Sequence, residues 1–251
     1  MTARHLAAFY SSATNPTLGL LNAVPDTQIF SVGTIQRVPP AYPNIVLAEA
    51  AYIATTLTAA QVQTPSLRAL ANYDVSPLNL AAPALNPNCY DDRYDNPLAL
   101  KGNEDLTFSL TGTSTGAQDA YGIIEYADGV VKPDNRNSFT IQATGTAALS
   151  AGVWVNTALK LNTTLPAGVY DVIGFRAEAA GLVAARIAFV GQTNRPGVLG
   201  MASSTQQDNP RFRQGGAGVF GSFDINQPPT VDCLGITATA ETFYLDLVKV
   251  K

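Results

Sequence analysis

From residue 97 onward the chain is cut into short runs of β-branched and aromatic residues by clusters of Gly, Asn, Asp and Pro. These breaks fall roughly every 8 to 15 residues, the spacing of an antiparallel sandwich or barrel. Eight strands are expected, over 105–111, 120–126, 138–144, 153–161, 168–177, 182–190, 217–224 and 242–250. The last alternates most clearly, with Phe243, Leu245, Leu247 and Lys249 on one face and Tyr244, Asp246, Val248 and Val250 on the other. Both faces are partly apolar, so this strand is expected in the middle of its sheet or under a neighbouring subunit. Asp128-Gly129 tolerates the positive φ of a type I′ turn and predicts a hairpin. Helices do not alternate with strands, which argues against a doubly wound parallel sheet. The fold class is therefore mainly β, an antiparallel jelly-roll β-sandwich over 97–251.

The first 96 residues read differently. Ten of the 16 prolines fall before residue 100, and proline at that density stops helices and central strands from running long. This part is expected to be an extended arm with short helical elements, contacting other subunits or the outside of the sandwich. A strand is expected over 28–38, before Pro39-Pro40. A helix is expected over 44–61, where Asn44 can cap and Ile45, Ala48, Tyr52 and Ile53 recur at helical spacing, although Thr55, Thr56 and Thr58 weaken it.

Only 14% of the 251 side chains are charged, against roughly 25% in an ordinary soluble domain. Small neutral residues take their place, with 37 Ala and 25 Thr. Such a chain folds, and it is expected to hide more surface than a monomer would. A net charge of −4 argues against a protein whose main task is to coat nucleic acid. The first ten residues do not read as a secretion signal, and no apolar run approaches the roughly 20 residues of a membrane helix, so no membrane insertion is expected.

Catalytic and metal chemistry find little support. Cys89 and Cys233 stand alone, without a CxxC partner. His5 is the only imidazole, and it reads as a solvated residue of the arm rather than a general base. A single histidine removes the common zinc, copper and non-haem iron sites. Asp91, Asp92, Arg93, Tyr94 and Asp95 form the densest acidic group, read as a solvated loop in which Arg93 offsets its neighbours, with calcium as the alternative. Gly216, Gly218 and Gly221 spell GxGxxG, but a strand and then Pro228-Pro229 follow, so the glycines are read as a turn where backbone approaches closely. No enzyme activity, cofactor or metal is expected. Trp154, the single tryptophan, is expected to pack inside the sandwich.

Ten of the 15 cations are arginine, whose planar fork suits paired carboxylates. Arg211, Phe212 and Arg213 form the strongest basic cluster. The loop 206–218 that carries them is expected at an inter-subunit contact, with the Asp91 to Asp95 group as its source of carboxylates; contact with a genome is the other reading.

The stretches Leu165-Pro166-Ala167-Gly168-Val169-Tyr170-Asp171-Val172-Ile173-Gly174, Ala185-Arg186-Ile187-Ala188-Phe189-Val190, Arg195-Pro196-Gly197 and Asn209-Pro210-Arg211-Phe212-Arg213 resemble the jelly-roll capsid proteins of small bacterial viruses. The similarity spans roughly the last 150 residues. It implies a virion structural protein without catalytic residues, assembled in the host cytoplasm. Its partners would be copies of itself, as trimers or hexamers building a shell, then other virion proteins, with nucleic acid secondary. Double jelly-roll capsid proteins are normally longer, so the expectation is a single roll with an arm. The alternative function is a secreted or surface jelly-roll binding module of carbohydrate-binding type.

Overall fold

In a computed structural model the chain is described except at residues 15–18, 53–55, 69–72, 75–88, 114–116, 202–209 and 237–239. It is mainly β with antiparallel sheets and divides into two compact units. One comprises residues 7–129 and 151–153, the other 1–6, 130–150 and 154–251. No helix among the described residues is long and apolar enough to cross a membrane.

The N-terminal unit contains β1 (Arg4–Thr14) from Ala7 onward, its first three residues belonging to the other unit, then β2 (Asn22–Ala23), β3 (Ser31–Val32), β4 (Ile35–Arg37), β5 (Asn44–Tyr52), β6 (Thr56–Gln63), the single turn α1 (Pro65–Arg68), β7 (Tyr73–Asp74), β8 (Cys89–Asp92), β9 (Leu98–Ala99), β10 (Asp105–Thr113) and β11 (Ala117–Ala127). One sheet runs β2-β1-β11-β5-β8 with β9 beside β5, and the other runs β3-β4-β10-β6-β7. Phe9 of the first sheet and Phe108 of the second meet at 5.8 Å between ring centroids, in a core that includes Val62, Leu106 and Ile124. Each fully buried aliphatic or Phe side chain contributes about 1.5–3 kcal/mol. At Gly122 a Cβ would stand 2.6 Å from the Phe108 ring, so glycine makes room for that ring.

The C-terminal unit contains β12 (Phe139–Gly145), β13 (Val155–Ala158), β14 (Lys160–Leu161), β15 (Val169–Glu178), β16 (Leu182–Ala188), β17 (Gly197–Met201), a 3-10 turn (Pro210–Phe212), β18 (Gly221–Asp224), β19 (Thr230–Gly235) and β20 (Glu241–Lys249). The order is β13-β19-β16-β17-β15-β20-β12-β14, with β18 beside β15. Only two residue pairs join β15 to β17, in parallel: Ala177 with Gly200 and Glu178 with Met201. This short link separates a four-stranded array, β13-β19-β16-β17, from a five-stranded one, β18-β15-β20-β12-β14. Phe175 packs on Phe220 and Phe243, at 6.1 and 6.0 Å between centroids.

The two units share one connectivity. If the eight main strands of each are numbered along the chain, both units pair them as 1-8-3-6 and 2-7-4-5: β1-β11-β5-β8 with β4-β10-β6-β7, and β12-β20-β15-β18 with β13-β19-β16-β17. An irregularity recurs at the same point. Between Glu125 and Tyr126 of β11 the partners step from Leu47 to Ile45, leaving Val46 as an extra residue. Between Asp246 and Leu247 of β20 they step from Gly174 to Val172, leaving Ile173. Strand three carries the bulge in both units, and strand eight sets a buried acid against it.

Several expectations need correction. The described residues of 44–61 are not helical, because they form β5 and β6, paired with β11 and β10, while residues 53–55 of the expected helix lie outside the described residues. The nearly continuous apolar run over 45–50 serves a strand buried on both faces, and the threonines favour the extended form. Strands from before residue 97 thus pair with strands after it, and no extended arm parts from the chain there. The expected strand 28–38 is the hairpin β3–β4, folded at Gly33 with φ 55°. Asp128-Gly129 does not close a hairpin, since Val130 and Val131 lie outside any strand. Segment 153–161 splits into β13 and β14, while β17 and β19 had not been expected. Strand 242–250 is central, between β15 and β12, one of the two places expected from its two apolar faces.

Candidate functional site

The basic cluster lies where the chain crosses from β17 to β18. Of the loop expected over 206–218, residues 206–209 fall outside the described residues. Arg211 is partly buried in the 3-10 turn, Phe212 is buried and Arg213 is exposed. Phe212 therefore roots the turn, and Arg213 faces outward. Beyond it the chain is pinned by backbone: Gly215 N–H donates to Ile173 O at 2.7 Å, Asp134 N–H to Gly215 O at 2.8 Å and Phe220 N–H to Val172 O at 2.8 Å. Gln214 takes a φ of 45° and Gly215 of 83°, and a Cβ on Gly215 would overlap Asp134 O. The glycine run is thus a close-approach turn, as the sequence suggested.

Asp246 anchors this turn. Its carboxylate is buried and accepts from Gln214 N–H at 2.8 Å, Arg176 Nη2 at 2.9 Å and Thr140 Oγ1 at 2.6 Å. Three donors, one of them cationic, compensate the desolvation of a buried charge. Gly174 is required beside it, since a Cβ there would overlap Asp246 Oδ2.

Against the turn lies segment 134–138. Arg136 binds Asp134 through Nε at 3.0 Å and Nη2 at 2.6 Å, and Asp171 through Nη1 at 2.8 Å. The hydrogen bonds from Arg136 hold the Asp134 carboxyl below its usual range, and those to Asp134 and then Asp171 push the guanidinium up. Asn135, Arg136, Asn137, Ser138 and Gln214 line an open cleft of about 350 Å³. Its walls are carboxamide, hydroxyl and guanidinium groups, suited to hydrogen bonding rather than to proton transfer. Among the described residues, no three His, Cys, Asp or Glu side chains come together to hold a metal.

The acidic group lies in the N-terminal unit at β8 and the turn after it. Arg93 Nε binds Asp91 Oδ2 at 2.9 Å, Tyr94 N–H donates to Asp92 Oδ1 at 3.1 Å, and Asp95 is exposed. Tyr94 is buried and its hydroxyl donates to Glu125 Oε2. Arg93 N–H donates at 2.8 Å to Val46 O, the carbonyl of the bulge residue. In the C-terminal unit the corresponding carbonyl, Ile173 O, takes Gly215 N–H. Arg93 N–H, within the acidic group, and Gly215 N–H, two residues after the basic group, therefore bind the same point of strand three in their respective units.

Two residues are placed otherwise than the sequence suggested. His5 is not solvated: it is buried on β1, bridged to Arg195, with Nε2 3.3 Å from Arg186 Nη1. Trp154 lies just before β13 and is half-buried, its ring 4.2 Å from the Arg186 guanidinium. Arg186 also donates to Asp232 Oδ2 at 3.0 Å and Leu6 O at 3.0 Å. Sequence reading missed Asp134, Arg136, Arg176 and Asp246, although the spacing of Asp134 and Arg136 is a local signal for an ion pair.

No family model matches the chain, and no curated protein does either. Among solved structures it is similar to a xanthan lyase of Paenibacillus, at 12% identity and a TM-score of 0.22, covering 98% of this chain. The chain spans 25% of the length of that lyase. It is also similar to the major capsid protein P2 of bacteriophage PM2, at 9% identity and a TM-score of 0.25, covering 96% of this chain and 98% of that one. Both likenesses are weak.

Proposed function

We propose that the chain is a virion structural protein, a self-assembling capsid subunit made of two jelly rolls in tandem. One observation carries this reading: two units of one chain repeat the 1-8-3-6 and 2-7-4-5 pairing, with the bulge at the same strand. Jelly rolls serve in viral shells, lectins and cupins, so the fold alone does not choose. The scarcity of charge favours the shell, where subunits cover one another's surface. A cupin-type metal site has no histidine to build on, since His5 is committed to Arg186.

Arg211 and Arg213 are proposed as inter-subunit contacts on a turn rooted by the buried Phe212, with the turn at Asp91, Asp92 and Asp95 of a neighbouring copy as their complement. The N-terminal unit thus offers a turn with three aspartates and one arginine, and the C-terminal unit a turn with two arginines. Contact between unlike units is then attractive and contact between like units repulsive, which gives specificity more than affinity. Sedimentation and electron microscopy of the full chain test the shell: oligomers or particles are expected, and a stable monomer at micromolar concentration would overturn it. Arg213→Glu and Asp95→Lys should each impair assembly and together restore it. Nucleic-acid contact would instead show as lost packaging with intact shells.

The carboxamide-lined cleft at Asn135, Asn137 and Gln214 favours a second reading, a carbohydrate-binding module. A monomer that binds saccharide, with binding lost in Asn137→Ala, would select it.

A further inference from the structure

Glu49 sits in the middle of β5, 1% exposed, and among the described residues neither carboxyl oxygen has a hydrogen-bond partner. Its place in the sheet explains why it matters. Glu49 pairs in register with Ile123 on one side and Tyr90 on the other, while Leu47 pairs with Glu125 and Asp92. Residues directly opposite share a face, as do residues two apart. Glu49, Glu125 and Asp92 therefore stand on one face of three adjacent strands, with the carboxyls of Glu125 and Asp92 at the two diagonals from Glu49.

The titratable groups that β11 and β8 set on this face are also acids or phenols. Tyr94 donates to Glu125, and Tyr121 of β11 is buried. Farther along, Tyr10 of β1 donates to Asp119 at 2.6 Å, and burial followed by that bond pushes its hydroxyl up to about 12. Asp246 shows the contrast: also buried, its carboxyl accepts from an arginine, a hydroxyl and a backbone N–H. Nothing comparable serves Glu49, and burial drives its carboxyl well above the ordinary range. A carboxyl so placed is held neutral.

We propose that Glu49 is a proton-dependent latch of the N-terminal unit: the β5–β11 sheet is tight while Glu49 carries its proton and loosens when the proton leaves. The folded unit binds that proton more tightly than the unfolded chain does. Its contribution is therefore complete below the ordinary carboxyl range and is lost as pH rises through the raised value. A single proton changes the opening equilibrium by up to about tenfold per pH unit across that window.

Amide hydrogen exchange on the full chain at pH 5, 7 and 9, corrected for intrinsic rates, reads the latch in peptides from β5 and β11. Protection there should fall with pH in the wild type by up to about tenfold per unit more than in Glu49→Gln. Peptides from β20 should behave alike in both proteins. Glu241 is a second buried carboxyl raised mainly by burial, in the other unit, and the difference between wild type and variant removes its effect. Glu49→Met, neutral and of similar length, should act as Gln does. Equal pH dependence in wild type and variants overturns the latch. So does failure of both variants to fold at pH 5, since the protonated carboxyl they replace is itself neutral.

Discussion

Glu125 and Asp246 hold the same position in the two units: each is buried on strand eight, facing the step in register that a bulge imposes on strand three. Their partners differ. Glu125 takes the Tyr94 hydroxyl, while Asp246 takes Arg176, Thr140 and the backbone of Gln214. A shared scaffold thus fixes two different turns, one acidic and one basic.

Asp246→Ala should destabilise the C-terminal unit by about 3–5 kcal/mol, since it leaves the Arg176 guanidinium without its carboxylate in a largely buried place. Urea unfolding followed by fluorescence of the single tryptophan, Trp154, reads this unit directly. A cost below about 1 kcal/mol, the range of an exposed pair, would contradict the anchoring role.

Gly215→Ala should cost more than Gly33→Ala. Both glycines have positive φ, a strain of about 1–3 kcal/mol for another residue, but a Cβ at Gly33 meets nothing within 4 Å whereas at Gly215 it overlaps Asp134 O. Thermal midpoints of the two variants check this; equal shifts would mean that the turn yields freely around Gly215.

Trp154 and Arg186 should be energetically coupled. Their stacking, with the guanidinium almost wholly buried, is worth about 1–2 kcal/mol in a double-mutant cycle with Trp154→Leu and Arg186→Met. Additive losses would show that the two side chains merely adjoin.

Legible in the residues themselves were the strand-forming texture after residue 97, the two apolar faces of β20 and the turn at the glycine run. These follow from local chemistry: side-chain alternation, apolarity on both faces and the backbone freedom of glycine. It did not determine the first hundred residues. There, proline density and an Ile-Ala-Tyr spacing suited an arm with a helix, but β5 and β6 find partners in β11 and β10, roughly 50 to 75 residues away. Tertiary pairing of that range overrides local preference, and no periodicity within a strand announces its partner. Only the folded chain decided that His5 lies buried against Arg186, that Asp246 anchors the Gln214 turn and that Glu49 meets no donor among the described residues. Each of these rests on groups far apart in sequence, whose meeting is set by register and by the bulge that shifts it.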